Sequence, residues 1–290
     1  MAIIIYKTLK IAYENNINTY KNFLDKIFLE NEKLSNITNI IINIFLCATF
    51  FIMISGFGTY LSQSFGMNQI IGSSILALIS YIVFLRKIES FAKINNIVIP
   101  ILITIILIIG IINLVNLKEI DNNIYLDKSY FWILQAILYA SYNLVLVEPV
   151  LVNLKQFLRN KKQILKISIG VGIIMTILAI LEFLLLTNVD INFKNLEMPL
   201  VYVVEKTFPR FTYLYGIIIL IAIFTTAVSV GISFLNSINK NEKSFQQKAA
   251  ILCIGSVIIS QISFSKLVEN LFPLFGFLGL IQMIFILKKK

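Results

Sequence analysis

Between Ile137 and Leu154 the chain reads ILYASYNLVLVEPVLVNL. Ser141, Tyr142 and Asn143 put two hydroxyls and an amide into an apolar run, and Glu148 stands directly before Pro149. An amide in hydrocarbon must face other helices or a cavity, because lipid offers it no partner. A proline cannot donate to the helix ladder, so it frees a carbonyl about one turn earlier, near Val145. Neighbours or a ligand then have to satisfy that carbonyl. A carboxylate at membrane depth is costly unless paired, protonated or hydrated. Two arrangements meet these demands. In the first, the helix is broken at mid-membrane and its open backbone lines a solute cavity. Ser141, Tyr142, Asn143 and Glu148 are then the candidate solute-binding residues. In the second, Pro149 only kinks the helix, Asn143 bonds between helices, and Glu148 lies near the cytoplasmic mouth within two turns of Lys155. The clustering of breaker and amide favours the first, whereas Glu148 on its own fits both equally.

A second constellation is IAIFTTAVSVGISF, Ile221 to Phe234. Thr225 and Ser229 are four residues apart and Thr226 and Ser229 three apart, so the hydroxyls share a helix face. With a backbone carbonyl they can replace the water shell of a small hard cation such as sodium. Threonine and serine also bond back to the preceding turn or allow close helix packing, and on residue types alone that plainer account is preferred. The stretch MISGFGTYLSQSFG, Met53 to Gly66, carries a small-residue stripe of Ser55, Gly56, Gly58, Thr59 and Ser62. Close approach to another helix is its expected meaning. Glu182, about a turn from the outer boundary, is expected to reach for the interface.

What positions these groups follows from composition. Of 290 residues 58% are hydrophobic and 14% charged. The apolar residues come in blocks, not in the mixed pattern of a water-soluble helix, which marks a polytopic membrane protein. Eight blocks are long enough to cross a hydrocarbon core: Ile37–Leu61, Gln69–Leu85, Ile97–Val115, Tyr130–Leu154, Ile164–Leu186, Phe211–Leu235, Ala249–Ser265 and Leu267–Leu287. In lipid such segments satisfy their own backbone as helices, so the expected fold is an all-α bundle of eight transmembrane helices. It forms one membrane domain over 37–287, between an N-terminal arm, 1–36, and the tail Lys288–Lys290.

Alternating the loops across the bilayer puts 19 of the 25 lysines and arginines on one side and six on the other. The positive-inside rule then places both termini in the cytoplasm, with the chain in the inner membrane. Trp132, Tyr125 and Tyr130 fall where an outer aromatic belt belongs. The net charge of +10 thus reads as topology and lipid headgroup contact, not nucleic-acid binding. The arm opens with MAIIIYKTLK, a greasy segment too short to span. YENNINTYKNFLDKIFLENEKLSN follows and reads as one amphipathic cytoplasmic helix, with Phe23, Leu24, Ile27, Phe28 and Leu34 on a single face.

Histidine is absent, and Cys47 and Cys253 sit apart in apolar runs, which reads as buried thiols without a resident metal or cofactor. No phosphate-binding loop, dinucleotide turn or nucleophile elbow is present. The acids do not cluster. Enzymatic activity is therefore not expected.

Four motifs in order, YASYNLVLVEPVLVNL, MPLVYV from Met198, AIFTTAVSVG and NLFPLFGFLGL, resemble the YkvI family of bacterial membrane proteins. That family is similar to the amino acid–polyamine–organocation superfamily, whose members share the LeuT fold of ten helices in two inverted repeats. The resemblance implies a cation-coupled secondary transporter of small, amino-acid-like solutes, using sodium or protons. It puts the Tyr142 segment on the broken sixth helix. Thr225, Thr226 and Ser229 fall on the eighth, where hydroxyls ligate sodium. The eight spans become helices three to ten, and MAIIIYKTLK the last turn of the second. The first two helices are then missing, which implies a truncated product inactive alone, or a partner chain that supplies them. A non-transporting accessory or receptor protein is the alternative. Neither the YkvI resemblance nor the LeuT fold accounts for Glu148 before Pro149.

Overall fold

The structure is a computed structural model that describes residues 1–29, 31–86, 90–115, 131–187, 196–238 and 242–289. Among these the chain is all-helical, without a strand. The helices are α1 (Ala2–Glu14), α2 (Tyr20–Ile27), α3 (Glu32–Phe65), α4 (Gln69–Leu85), α5 (Ser90–Val115), α6 (Phe131–Leu154), α7 (Lys161–Thr187), α8 (Pro199–Thr207), α9 (Thr212–Ile238), α10 (Glu242–Ile259) and α11 (Phe264–Lys288). Tyr125 and Tyr130, with Lys87, Lys118, Lys128, Lys194, Lys240 and Lys290, lie outside the described residues. Trp132 is exposed on α6.

Each of the eight apolar blocks overlaps a helix, and α4 has the same bounds as its block. Among the described residues five helices, α3, α6, α7, α9 and α11, are long and apolar enough to cross a membrane. The chain is thus an integral, multi-pass membrane protein. The apolar helices Gln69–Leu85, Ile99–Ile112 and Ser244–Ile259 are shorter. Only 17% of the apolar window of α7 is buried within the molecule. Ile251, Ile254 and Ile258 of α10 stand exposed on one face. Water would penalise such surfaces, and lipid does not.

Side chains set the helix ends. Thr19 Oγ1 accepts from the Asn22 amide at 3.2 Å, Asn68 Oδ1 from Ile70 at 2.9 Å, and Asn160 Oδ1 from Gln163 at 2.9 Å. These are N-caps of α2, α4 and α7, each satisfying a donor the helix leaves open. Gly66, at φ +64°, ends α3 in the left-handed region. Helix α10 stops at Ile259, before the expected Ser265. The Ser260 carbonyl accepts from Gln69 Nε2 at 2.6 Å and the Ile262 carbonyl from Ser55 Oγ at 3.2 Å. Those side chains take up carbonyls that have left the ladder, which lets a turn form in apolar surroundings.

Residue contacts divide the chain into two compact units. One comprises Met1–Ala48, Asp127–Thr176 and Glu269–Lys290. Its core sets Ile4, Leu9, Phe23, Leu24 and Phe28 against Leu144 and Val152 of α6, Ile164 of α7 and Ile286 of α11. Here α11 crosses α6 closely: a Cβ on Gly279 would lie 2.7 Å from the Ser141 carbonyl oxygen.

The arm differs from expectation. It is two helices and the start of a third, because Asn16 (φ 53°) and Leu29 (φ 55°) reverse the backbone on either side of α2. The opening segment, too short to span, is a docked helix. Helix α1 buries Ile4, Ile5, Leu9, Ile11 and Ala12 and packs on α6. It touches α7 at both ends. Ala2 lies against Gly172, and Glu14 pairs with Lys161 at 2.6 Å.

The other unit comprises Thr49–Leu126 and Ile177–Val268. Its small-residue stripe does bring helices together. A Cβ on Gly72 of α4 would lie 3.0 Å from the Gly58 Cα of α3, so neither position has room for a side chain. Ser73 Oγ donates to the Ile54 carbonyl across the same crossing, at 3.2 Å. A second cluster gathers Tyr60, Ile109, Met198, Val201, Val204 and Tyr215. Pro199, at the first position of α8, starts that helix without losing a ladder bond.

Candidate functional site

Helix α6 runs uninterrupted from Phe131 to Leu154, with Pro149 inside it. The expected break at Tyr142–Pro149 does not occur. A proline removes one ladder bond, and the flanking Leu144, Val145, Leu151 and Val152 are all buried. Packing on both sides holds the helix through the gap.

The hydroxyl of Ser141 donates to the Ile137 carbonyl at 2.7 Å, and the Asn143 amide donates to the Tyr139 carbonyl at 2.8 Å. Both bond within their own helix. Tyr142 is half-buried and stacks on Phe272 with ring centres 4.5 Å apart. Glu148 is different. It is fully buried, and it bonds neither to its own helix nor to Lys155. Lys155 instead reaches Asn16 and, at 2.6 Å, Asn18, in the loop joining α1 to α2.

The partners of Glu148 come from the two ends of the chain. Gln282 of α11 donates through Nε2 to Glu148 Oε2, and also to Tyr20 Oη at 2.6 Å. Tyr20, the first residue of α2, donates its hydroxyl to Glu148 Oε2 at 3.2 Å. The three groups close a triangle on one carboxylate oxygen. The other oxygen, Oε1, is buried with no hydrogen-bond partner among the described residues. Burial, then the nearby Glu148, push the Tyr20 hydroxyl well above the ordinary tyrosine range near 10. Tyr20 is therefore a proton donor throughout the neutral range. Gln282 also lines a small apolar cleft of about 120 Å³ with Phe28, Phe45, Val145 and Phe275.

The alignment of Glu148, Gln282 and Tyr20 is a consequence of the arm. Thr19 caps α2 and starts it beside α6, while buried Phe23 and Leu24 anchor it there. The sequence reading missed both partners of Glu148. Gln282 is a lone amide in the apolar stretch GLIQMIFIL, and the argument applied to Asn143 singles it out equally. Tyr20 carried no such signal.

The hydroxyls at the second constellation do not converge. Thr225 Oγ1 donates to the Ala222 carbonyl at 3.1 Å and Ser229 Oγ to the Thr225 carbonyl at 2.8 Å. Thr226 is exposed. Thr225 and Ser229 thus each spend the hydroxyl proton inside α9. Glu182 is exposed as well. Among the described residues no group of three His, Cys, Asp or Glu side chains is placed to hold a metal ion.

Sequence comparison agrees with the membrane reading. Over 285 residues the chain is 26% identical to the uncharacterized membrane protein YkvI of Bacillus subtilis (strain 168), covering 94% of this chain and 79% of that protein. The match supports a YkvI-like membrane protein. A second relative in the same organism, the uncharacterized protein YyaD, is 24% identical over 288 residues, covering 97% of this chain and 82% of its own. No family model and no solved structure matches the YkvI-like chain.

Proposed function

We propose that this YkvI-like protein is a cation-coupled secondary transporter of small, amino-acid-like solutes, with Glu148 as the group that exchanges the coupling proton. One observation carries the reading: a carboxylate fully buried in a membrane-spanning helix keeps one oxygen without a partner among the described residues. Such a group costs free energy that an apolar residue would not, and intramembrane acids mark ion and proton pathways. The adjoining apolar cleft at Gln282 and the half-buried Tyr142 supply room and a ring face for the solute. On this reading the apolar helices α3 to α7 and α9 to α11 are eight spans of a partial LeuT-like arrangement, with both termini cytoplasmic. Solute recognition would then rest on side chains rather than on open backbone. Sodium at Thr225, Thr226 and Ser229 would require those hydroxyls to turn from their own helix, so the proton is the preferred coupling ion.

The test is uptake of labelled amino acids into proteoliposomes under an imposed proton or sodium gradient. Gradient-driven uptake by the wild type, lost in Glu148→Gln while the protein stays monodisperse, is the expected result. No uptake under either gradient sinks the carrier reading.

A second reading, a non-transporting accessory or receptor protein, draws support from the unbroken α6 and the self-bonded hydroxyls of α9. It predicts no uptake by this chain alone and stable co-purification with another membrane protein.

A further inference from the structure

Helix α1 carries a polar stripe opposite its buried one. Lys7, Lys10 and Glu14 recur at three- and four-residue spacing. The stripe forms one wall of a cavity of about 370 Å³, completed by Tyr6, Lys26 of α2 and Lys289 just beyond α11. Four half-buried lysines therefore face one space, against a single acid. That acid is already engaged: Glu14 pairs with Lys161 at 2.6 Å, and this bond holds its carboxyl below the usual range. Among the described residues no carboxylate lies within 4.0 Å of Lys7, Lys10, Lys26 or Lys289. Lys7 spends two donors on the Leu287 and Lys289 carbonyls, at 2.6 and 2.9 Å, so its charge is fixed in place.

Depth identifies the occupant. The apolar run of α11 ends at Leu287 and turns at once to lysine, which sets that end at the boundary between hydrocarbon and water. Basic pockets at that level hold acidic headgroups. We propose that this cavity binds the phosphodiester of an anionic phospholipid, with Lys10 and Lys26 gripping the phosphate and Lys7 and Lys289 supplying field. The shared chemistry is a phosphate anion, and the position at the bilayer edge selects the lipid over a soluble phosphate. The bound headgroup ties α1, α2 and the end of α11 together.

The full chain is purified in detergent and loaded with equimolar phosphatidylglycerol and phosphatidylcholine, and the retained lipid is quantified by native mass spectrometry. The expected result is selective retention of phosphatidylglycerol. The Lys10→Gln/Lys26→Gln double variant should bind it about thirtyfold more weakly. Lys162→Gln/Lys166→Gln, which alters lysines outside the cavity, should leave retention unchanged. Equal retention of both lipids by the wild type overturns the proposal, as does unchanged retention in the Lys10/Lys26 variant. If that variant fails to fold, the wild type decides alone: retention must fall steeply with added salt, and salt-insensitive retention overturns the assignment. Displacement of phosphatidylglycerol by millimolar inorganic phosphate assigns the site to a soluble anion and overturns the lipid.

Discussion

At the scale of single residues, the informative contrast is between Asn143 and Glu148. Both are polar groups in α6, but Asn143 bonds to its own helix, whereas Glu148 bonds to groups 128 and 134 residues away. Replacing Gln282 with leucine removes the donor shared by Glu148 and Tyr20. The expected loss is about 2 kcal/mol, read by denaturant unfolding in micelles. Tyr20 adds a pH dependence. The unfolded chain gives up the tyrosine proton near pH 10, whereas the folded chain keeps it to higher pH. The folded state then binds more protons than the unfolded one above that point, so this contribution is whole below pH 10 and drains away as pH rises. Alkaline unfolding curves of Tyr20→Phe should be shallower than wild type above pH 10 and parallel to it below. The spacing of Thr225, Thr226 and Ser229 could not separate a cation site from self-bonding, because both use the same helical repeat. Hydrogen positions decide that, and they depend on whether anything lies across from the face.

At the scale of elements, helix placement was legible and docking was not. Blocks of apolar residues locate the helices because lipid-facing segments need little else, and α4 matches its block at both ends. The ends of α10 and α2 escaped notice for physical reasons. A carbonyl captured by Ser55 or Gln69, from about 190 to 207 residues away, terminates α10 where hydropathy alone would continue it. Left-handed Asn16 and Leu29 carry no glycine to announce them. Proline in α6 misled in the opposite direction: residue type predicts a break, and buried neighbours override it. Pro149→Ala should therefore leave helicity by circular dichroism unchanged and lower the thermal midpoint by nothing, since it restores a ladder bond. Gly72→Val is the converse case. With Gly58 Cα only 3.0 Å from the new Cβ, it should cost about 1–3 kcal/mol, measured in the same micelle unfolding assay.

For the molecule as a whole, the arm is structural. Phe23 is fully buried among α6 and α11 residues, so Phe23→Ala should cost about 3–5 kcal/mol. Hydrogen exchange should rise across residues 1–28 and stay unchanged around Val203 and Val204 in the other unit. The exposed Glu14–Lys161 pair is a weak clasp by comparison, and Glu14→Gln should leave the unfolding midpoint nearly unchanged. The bond from Lys7 to the carbonyl of Leu287 spans 280 residues. Helix α1 is synthesised long before that carbonyl exists. At ordinary translation speeds that interval is roughly 15–60 s. Within it the isoleucines of α1 find their seat on α6, but the Lys7 ammonium has no native acceptor until the last helix emerges. Closure of this part of the protein is thus a post-insertion event, gated by arrival of the final helix at the translocon.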